Sequence, residues 1–364
     1  MRRRAGTLDF WIVLSTSVLL GMGIIMVFSA SALTSSYNLG DAFFYLKRQL
    51  IWAFLGLIGM SFMLKFDYHY LKRLAAPVLG ISIILLLLVL IIGISSHGSA
   101  RWLGVGSLSF QPSEVIKLAM VIFLAASLAD NRHRLKNFIQ GLGPYLALMV
   151  VVCALILAQP DLGTSVAVAG TTYLMLTVAG ADRRHLFMLA LAGVGAVVLA
   201  IILAPYRMAR FTAFLDPWAY AQGYGYQTIQ SLLAIGSGGL FGTGLGQGRQ
   251  KLYYVPEKHT DFIFAILSEE LGFIGAALVV IFFLVLVWRG FNTAFKAPDT
   301  FGSFLAAGLT IMLAIQALIN MGVVTGMLPV TGITLPLVSY GGSSLIFSLV
   351  GIGILLNISR YAGS

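Results

Sequence analysis

Apolar runs of membrane-spanning length recur from one end of this sequence to the other, and they decide which solvent the chain folds in. A helix needs about 20 apolar residues to cross the hydrocarbon core. Such runs are read at 10–32, 49–64, 74–95, 112–128, 142–159, 164–180, 185–204, 262–288, 301–325 and 337–358, the second and fourth being short. Charged residues make up 10% of the chain and hydrophobic ones 59%, against roughly 25% charged in soluble domains. Lipid offers no partner to backbone N–H and C=O groups, so a span is a helix or a barrel strand. The short alternating segments of a barrel are not found. The expectation is an all-α polytopic membrane protein with about ten transmembrane helices, forming one domain over residues 1–364.

The net charge of +10 follows the same frame. An even number of spans puts both termini on one side, with residues 65–73, 129–141, 181–184 and 289–300. That side carries 14 of the 23 Lys and Arg, from Arg2, Arg3 and Arg4 to Arg360. Cations concentrate on cytoplasmic loops, so the termini are expected in the cytoplasm and no nucleic-acid partner is needed. Cys153 is the single cysteine, which excludes an internal disulfide and a cysteine-rich metal site.

The outer face then receives residues 33–48, 96–111, a tip near Asp161, a large loop at 205–261 and residues 326–336. Loops longer than about 15 residues are usually functional or disordered, and this one is too rich in aromatic and aliphatic residues for disorder. Tyr226–Ile235 has helical spacing and is expected to lie at the membrane surface.

Ionisable groups at membrane depth are costly, so each is a functional candidate. Glu114 and Lys117 are three residues apart on one helix, either as a neutralising pair or with Lys117 reaching an anion. Asp261 stands where the large loop becomes a span, in the motif Pro256-Glu257-Lys258-His259-Thr260-Asp261-Phe262-Ile263-Phe264. It is either a helix cap or, in a polar cavity with Asp161, Glu269 and Glu270, a general base. Outer-face Arg48, Arg101, Arg207, Arg210, Arg249, Lys251 and Lys258 run against the positive-inside trend and point to an anionic partner or to lipid headgroups. The glycine-rich stretch 236–248 lacks a P-loop ending and a preceding strand, so it reads as close backbone packing rather than a nucleotide loop. Ser339-Tyr340-Gly341-Gly342-Ser343-Ser344 is read as the opening of the last span.

His259-Thr260-Asp261-Phe262-Ile263-Phe264 with Glu269-Glu270-Leu271-Gly272 resembles the signature of the SEDS family (shape, elongation, division and sporulation). Arg101-Trp102-Leu103-Gly104, Phe110-Gln111-Pro112-Ser113-Glu114 with Lys117, Gln159-Pro160-Asp161-Leu162-Gly163-Thr164, Pro329-Val330-Thr331-Gly332 and Ser339–Ser344 match in the same order along nearly the whole chain. The stretch Gln227–Glu257 is more similar to the division and sporulation branch. The resemblance implies a peptidoglycan glycosyltransferase of the bacterial cytoplasmic membrane. Such an enzyme polymerises lipid II at the outer face beside a class B penicillin-binding protein.

The family's essential aspartate falls on Asp261. Sugar or pyrophosphate contacts are then expected from Arg48, Arg101, Lys117, Arg207, Arg210, His259, Thr260 and Ser343. Trp102, Glu114, Asp161, Glu269 and Glu270 would support the cavity. The sequence does not show whether a divalent cation assists the pyrophosphate. A lipid II flippase is the rival reading, and its ionisable residues would be spread from face to face. A recruiting scaffold is a third, and it would need no buried carboxylates.

Overall fold

The computed structural model describes residues 6–96, 99–105, 108–252, 255 and 258–362. Arg2, Arg3, Arg4, Pro256 and Glu257 lie outside the described residues. Helices α1 (Phe10–Leu39), α2 (Phe44–Lys65) and α3 (His69–Ile92) lead to three short strands, β1 (Ile94–Ser96), β2 (Ser99–Val105) and β3 (Leu108–Phe110). Helices α4 (Pro112–Asn131), α5 (Gly143–Leu157), α6 (Leu162–Ala179) and α7 (Arg183–Ile202) follow. The large loop holds α8 (Pro205–Leu215) and α9 (Tyr226–Gly238), and α10 (Ile263–Lys296), α11 (Thr300–Val324) and α12 (Gly342–Ser359) complete the bundle.

Among the described residues nine helices are long and apolar enough to cross a membrane. The 22-residue α2 is long enough too, but Lys47, Arg48, Gln49 and Lys65 dilute its apolar content. All ten expected spans therefore exist as helices. The antiparallel order β1-β2-β3 is an addition to the expected all-helical architecture.

Helices α4, α11 and α12 are buried along most of their length, whereas α7 is exposed along nearly all of it. A centre made of all-round apolar helices is what a bundle in lipid requires. The pairs α2–α12, α10–α11, α3–α4, α1–α10 and α4–α11 form the main contacts. Glycine permits the closest of them. A Cβ on Gly353 would lie 2.6 Å from the Met60 carbonyl oxygen, so α12 meets α2 backbone to backbone.

Two helices differ from simple straight spans for physical reasons. α1 runs to Leu39, about 45 Å at 1.5 Å per residue, well past a hydrocarbon core of about 30 Å. Its last turns serve as a polar wall, because Ser29, Thr34 and Ser35 all bind loop or carboxylate groups. α10 is broken at Gly272, with φ 67 and ψ −166. The glycine-rich loop lies along that break and takes up the freed backbone groups. Thr243 N donates to Glu269 O (2.9 Å), Gly244 N to Glu270 O (3.1 Å) and Phe273 N to Gly239 O (2.9 Å). Close backbone packing is thus what the glycines are for.

The loops sort to two ends as the charge pattern requires. Gly6 N donates to Arg360 O (2.8 Å), so the two terminal segments meet. Arg289 Nε binds Asp9 Oδ2 (2.8 Å), Tyr68 Oη binds Asp299, and Lys72 Nζ binds Asp130 (2.6 Å), tying the other loops of that end together.

Candidate active site

The opposite end is organised around the loop 325–341. Its Thr331 packs on the first turn of α6, where a Cβ on Gly163 would lie 2.9 Å from the Thr331 carbonyl oxygen. Its Gly332 has φ 80, and a Cβ there would stand 3.5 Å from Asp261 Oδ2. That backbone conformation favours glycine, and the bare backbone leaves room beside the carboxylate.

The segment carrying Asp261 is held from three elements. Asn320 Nδ2 on α11 donates to the Asp261 carbonyl (2.8 Å) and to Ile333 O (2.7 Å). Ser339 Oγ donates to Thr260 O (2.7 Å), and Tyr340 N to His259 O (2.9 Å). From α2, the Tyr45 ring packs on the His259 ring at 4.5 Å and on Tyr340 at 5.1 Å. Ser339 and Tyr340 were expected inside the last span. The helix begins only at Gly342, so both are free to brace this segment. Asp261 is half-buried and precedes Phe262, which occupies the cap position of α10 without a side-chain capping bond.

Arg48 joins this cluster. Its guanidinium lies 4.5 Å over the Phe44 ring, and its charge acts on the Tyr340 phenol. Burial pushes the Tyr340 phenol above its ordinary value, while Arg48 pulls it back down. On the far side of Thr331 stands the α5–α6 tip. Asp161 caps α6 by accepting from Thr164 N (3.0 Å), and Arg101 faces it at 3.7 Å. Arg101 also donates to Gln159 O (3.0 Å) and to Pro160 O. Trp102, next on β2, is half-buried and opposite Ile94 in the strand register. Ser343 Oγ accepts from Gln111 N (3.0 Å), fixing the start of α4 to the start of α12.

Other expected residues have different work. Lys117 is buried and donates to Glu114 Oε1 (2.7 Å) and Gln316 Oε1 (2.9 Å), the neutralising arrangement within the bundle. Arg207 spends its guanidinium on Tyr206 Oη (2.8 Å) and Ala200 O (3.0 Å). Glu269 and Glu270 were expected to support a cavity with Asp261, and that expectation is corrected. Both are 1% exposed and satisfied by the returning loop. Glu269 accepts from Arg249 N (2.7 Å) and Gln250 N (3.1 Å). Glu270 pairs with Lys251 Nζ (2.6 Å) and accepts from Ser29 Oγ (2.6 Å) and Gly246 N (3.1 Å). They anchor the loop because the break at Gly272 brings it against them. Lys251 and Lys258, read as outer-face cations, are buried as well.

Arg210 is exposed and lines a cavity of about 370 Å³ between α8, α9 and Val330. Among the described residues, no group of three or more His, Cys, Asp or Glu is placed to hold a metal ion. Asn320, Gln316 and Tyr45 went unnoticed in the sequence. The signal was available, since Gln316 and Asn320 are amides four residues apart on an apolar span.

Comparison with known proteins agrees with this architecture. The sequence matches the cell cycle protein family of FtsW, RodA and SpoVE over residues 10–364. It is 50% identical to the stage V sporulation protein E of Bacillus subtilis, covering 97% of both chains. It is 43% identical to the probable peptidoglycan glycosyltransferase FtsW of a Geobacter species, covering 98% of both. A chain solved in a peptidoglycan synthase complex superposes with a TM-score of 0.82 at 32% identity, covering 98% of this chain and 99% of that one. The rod shape determining protein RodA of Thermus thermophilus superposes with a TM-score of 0.74 at 31% identity, covering 98% of each. This chain is a member of the SEDS family of multi-pass membrane proteins.

Proposed function

We propose that this chain is a peptidoglycan glycosyltransferase that polymerises lipid II, with Asp261 as its general base. The observation that carries the reading is the setting of Asp261. Its carboxylate faces bare Gly332 backbone, while its own main chain is fixed by Asn320. A sugar hydroxyl is far too weak an acid to attack unaided, so a positioned carboxylate must take its proton as the new bond forms.

In that step the acceptor oxygen attacks the anomeric carbon of the donor. The carbon–oxygen bond to pyrophosphate breaks, and the electron pair leaves with undecaprenyl pyrophosphate. The α-linked donor becomes a β-linked product by a single inversion, so one catalytic carboxylate suffices. Arg48 stands near Tyr340, which braces the Asp261 segment, and Arg101 stands at the α5–α6 tip on which Thr331 packs. Their fixed charge suits the developing negative charge on the leaving group. The excess of Lys and Arg at the terminal end supports placing this site on the outer face of the bacterial cytoplasmic membrane. Similarity to a chain of a peptidoglycan synthase complex supports a class B penicillin-binding protein as partner.

The test is polymerisation of labelled lipid II by the purified chain with that partner. Asp261→Ala is expected to abolish strand formation. Asp261→Asn, which keeps shape and loses charge, is expected to fold and to lose a factor of about 10²–10⁴ in rate. Wild-type polymerisation by Asp261→Ala would sink the assignment.

A further inference from the structure

The cavity beside Arg210 takes no part in the proton transfer or in stabilising the leaving group. It holds about 370 Å³, within the range of small-ligand pockets, which run from about 300 to 1,000 Å³. It is also built rather than incidental. Ser231 Oγ on α9 donates to Val324 O (2.6 Å), locking α9 to the end of α11. A Cβ on Gly225 would lie 2.2 Å from Pro217 O, so the chain between α8 and α9 closes tightly on itself.

Resting on the functional reading above, we infer that this cavity is the subsite for the sugar and peptide of the growing glycan strand. Its lining includes Arg210, Tyr224, Tyr226, Gln227, Thr228 and Val330. An acyl chain fits it poorly. The lining comes from outside the ten spans, and although Phe214, Val330 and the tyrosine rings make much of it apolar, an alkyl chain would strip water from the guanidinium, amide and hydroxyl without replacing their hydrogen bonds. Pyrophosphate fits it poorly too, because among the described residues Arg210 is the one cation in the lining and a dianion wants several charge-assisted donors.

A saccharide carrying a peptide uses both the aromatic and the polar walls. The tyrosine rings can cover the C–H faces of a sugar, and Gln227 and Thr228 can exchange hydrogen bonds with its hydroxyl and acetamido groups. Arg210 can take a peptide carboxylate through its fork. Val330 is two residues before Gly332, whose backbone faces the Asp261 carboxylate. The cavity and the reacting centre therefore share one short loop. A strand held here stays within reach of the base between additions.

The experiment compares the full-length wild type with Arg210→Gln, Tyr226→Ala, Gln227→Ala and Asp261→Ala in lipid nanodiscs. Two readouts are taken, the length of strands made from labelled lipid II and the binding of a soluble disaccharide–tetrapeptide oligomer from muramidase-digested peptidoglycan. The cavity variants are expected to bind the oligomer at least about tenfold more weakly, a change of about 1.4 kcal/mol. They are also expected to make shorter strands while early lipid II consumption changes less. Asp261→Ala is expected to bind the oligomer like wild type. Tyr226→Phe and Arg210→Lys, with melting temperatures for all variants, separate lost contacts from lost folding. Wild-type binding and strand length in all folded cavity variants would overturn the inference, as would competition by undecaprenyl phosphate in place of the oligomer. Failure of the functional reading is distinct, since Asp261→Ala would then polymerise normally.

Discussion

The side-chain amide of Asn320 donates at once to the main-chain carbonyl of Asp261 (2.8 Å) and to that of Ile333 (2.7 Å). One residue of α11 thus sets the spacing between the proposed base and the loop that faces it. Asn320→Ala removes both donors from a buried position. Misplacement of a catalytic group by about 1 Å costs on the order of 10²-fold in rate. A fall in kcat of about 10- to 100-fold is expected, with little change in KM. Asn320→Asp should do no better, because a carboxylate cannot donate to either carbonyl. Steady-state polymerisation of lipid II checks this, with wild-type kcat in Asn320→Ala contradicting it.

The Lys251–Glu270 pair is expected to matter for stability rather than for chemistry. Both side chains are almost wholly buried. Removing one partner of such a pair costs about 3–5 kcal/mol, whereas replacing both by apolar or neutral groups is often close to neutral. Lys251→Met should therefore lower the unfolding temperature strongly, and adding Glu270→Gln should recover much of the loss. A double-mutant cycle on the purified protein measures the coupling.

Gly242 and Gly246 offer a controlled comparison. Both have φ 80, but a Cβ on Gly242 would lie 2.1 Å from Glu270 O, while nothing lies within 4 Å of one on Gly246. Gly246→Ala should cost about 1–2 kcal/mol, the price of left-handed backbone alone. Gly242→Ala should cost clearly more, because the loop must also leave the break in α10. Thermal unfolding of the two variants side by side gives the answer.

Lys258 supplies a pH dependence. Burial, then the nearby charge of Lys251, holds its ammonium below the ordinary 10.5. In the window between that lowered value and 10.5 the unfolded chain binds more protons than the folded one. This group's contribution to stability therefore rises with pH through that window. Lys258→Met, which cannot titrate, should be favoured over wild type most at about pH 7 and less as pH approaches about 10. Melting temperatures of the two proteins across that range test the sign.

The residues that the sequence flagged divide by how local their signal is. The helix bounds of α7 and α11 follow from apolar runs that begin behind Asp182 and Asp299, and those patterns need no tertiary contact to be read. Asp261 was legible because it sits where a polar loop meets a span. Asp161 was equally legible as a position, but not as the cap of α6. Glu269 and Glu270 misled, since a carboxylate in a span looks the same whether it lines a cavity or anchors a loop.

By itself the sequence determined the solvent and where along the chain the apolar helices fall. These follow from transfer free energies summed along a linear chain, which depend on composition and spacing alone. Only the tertiary structure decided which buried charges were neutralised and which elements hold the Asp261 segment. Lys117 met Gln316, Lys251 met Glu270, and Asn320 met Asp261 across separations of 199, 19 and 59 residues. Such pairings rest on hydrogen-bond geometry of a few tenths of an ångström, which folding of the whole bundle alone brings about.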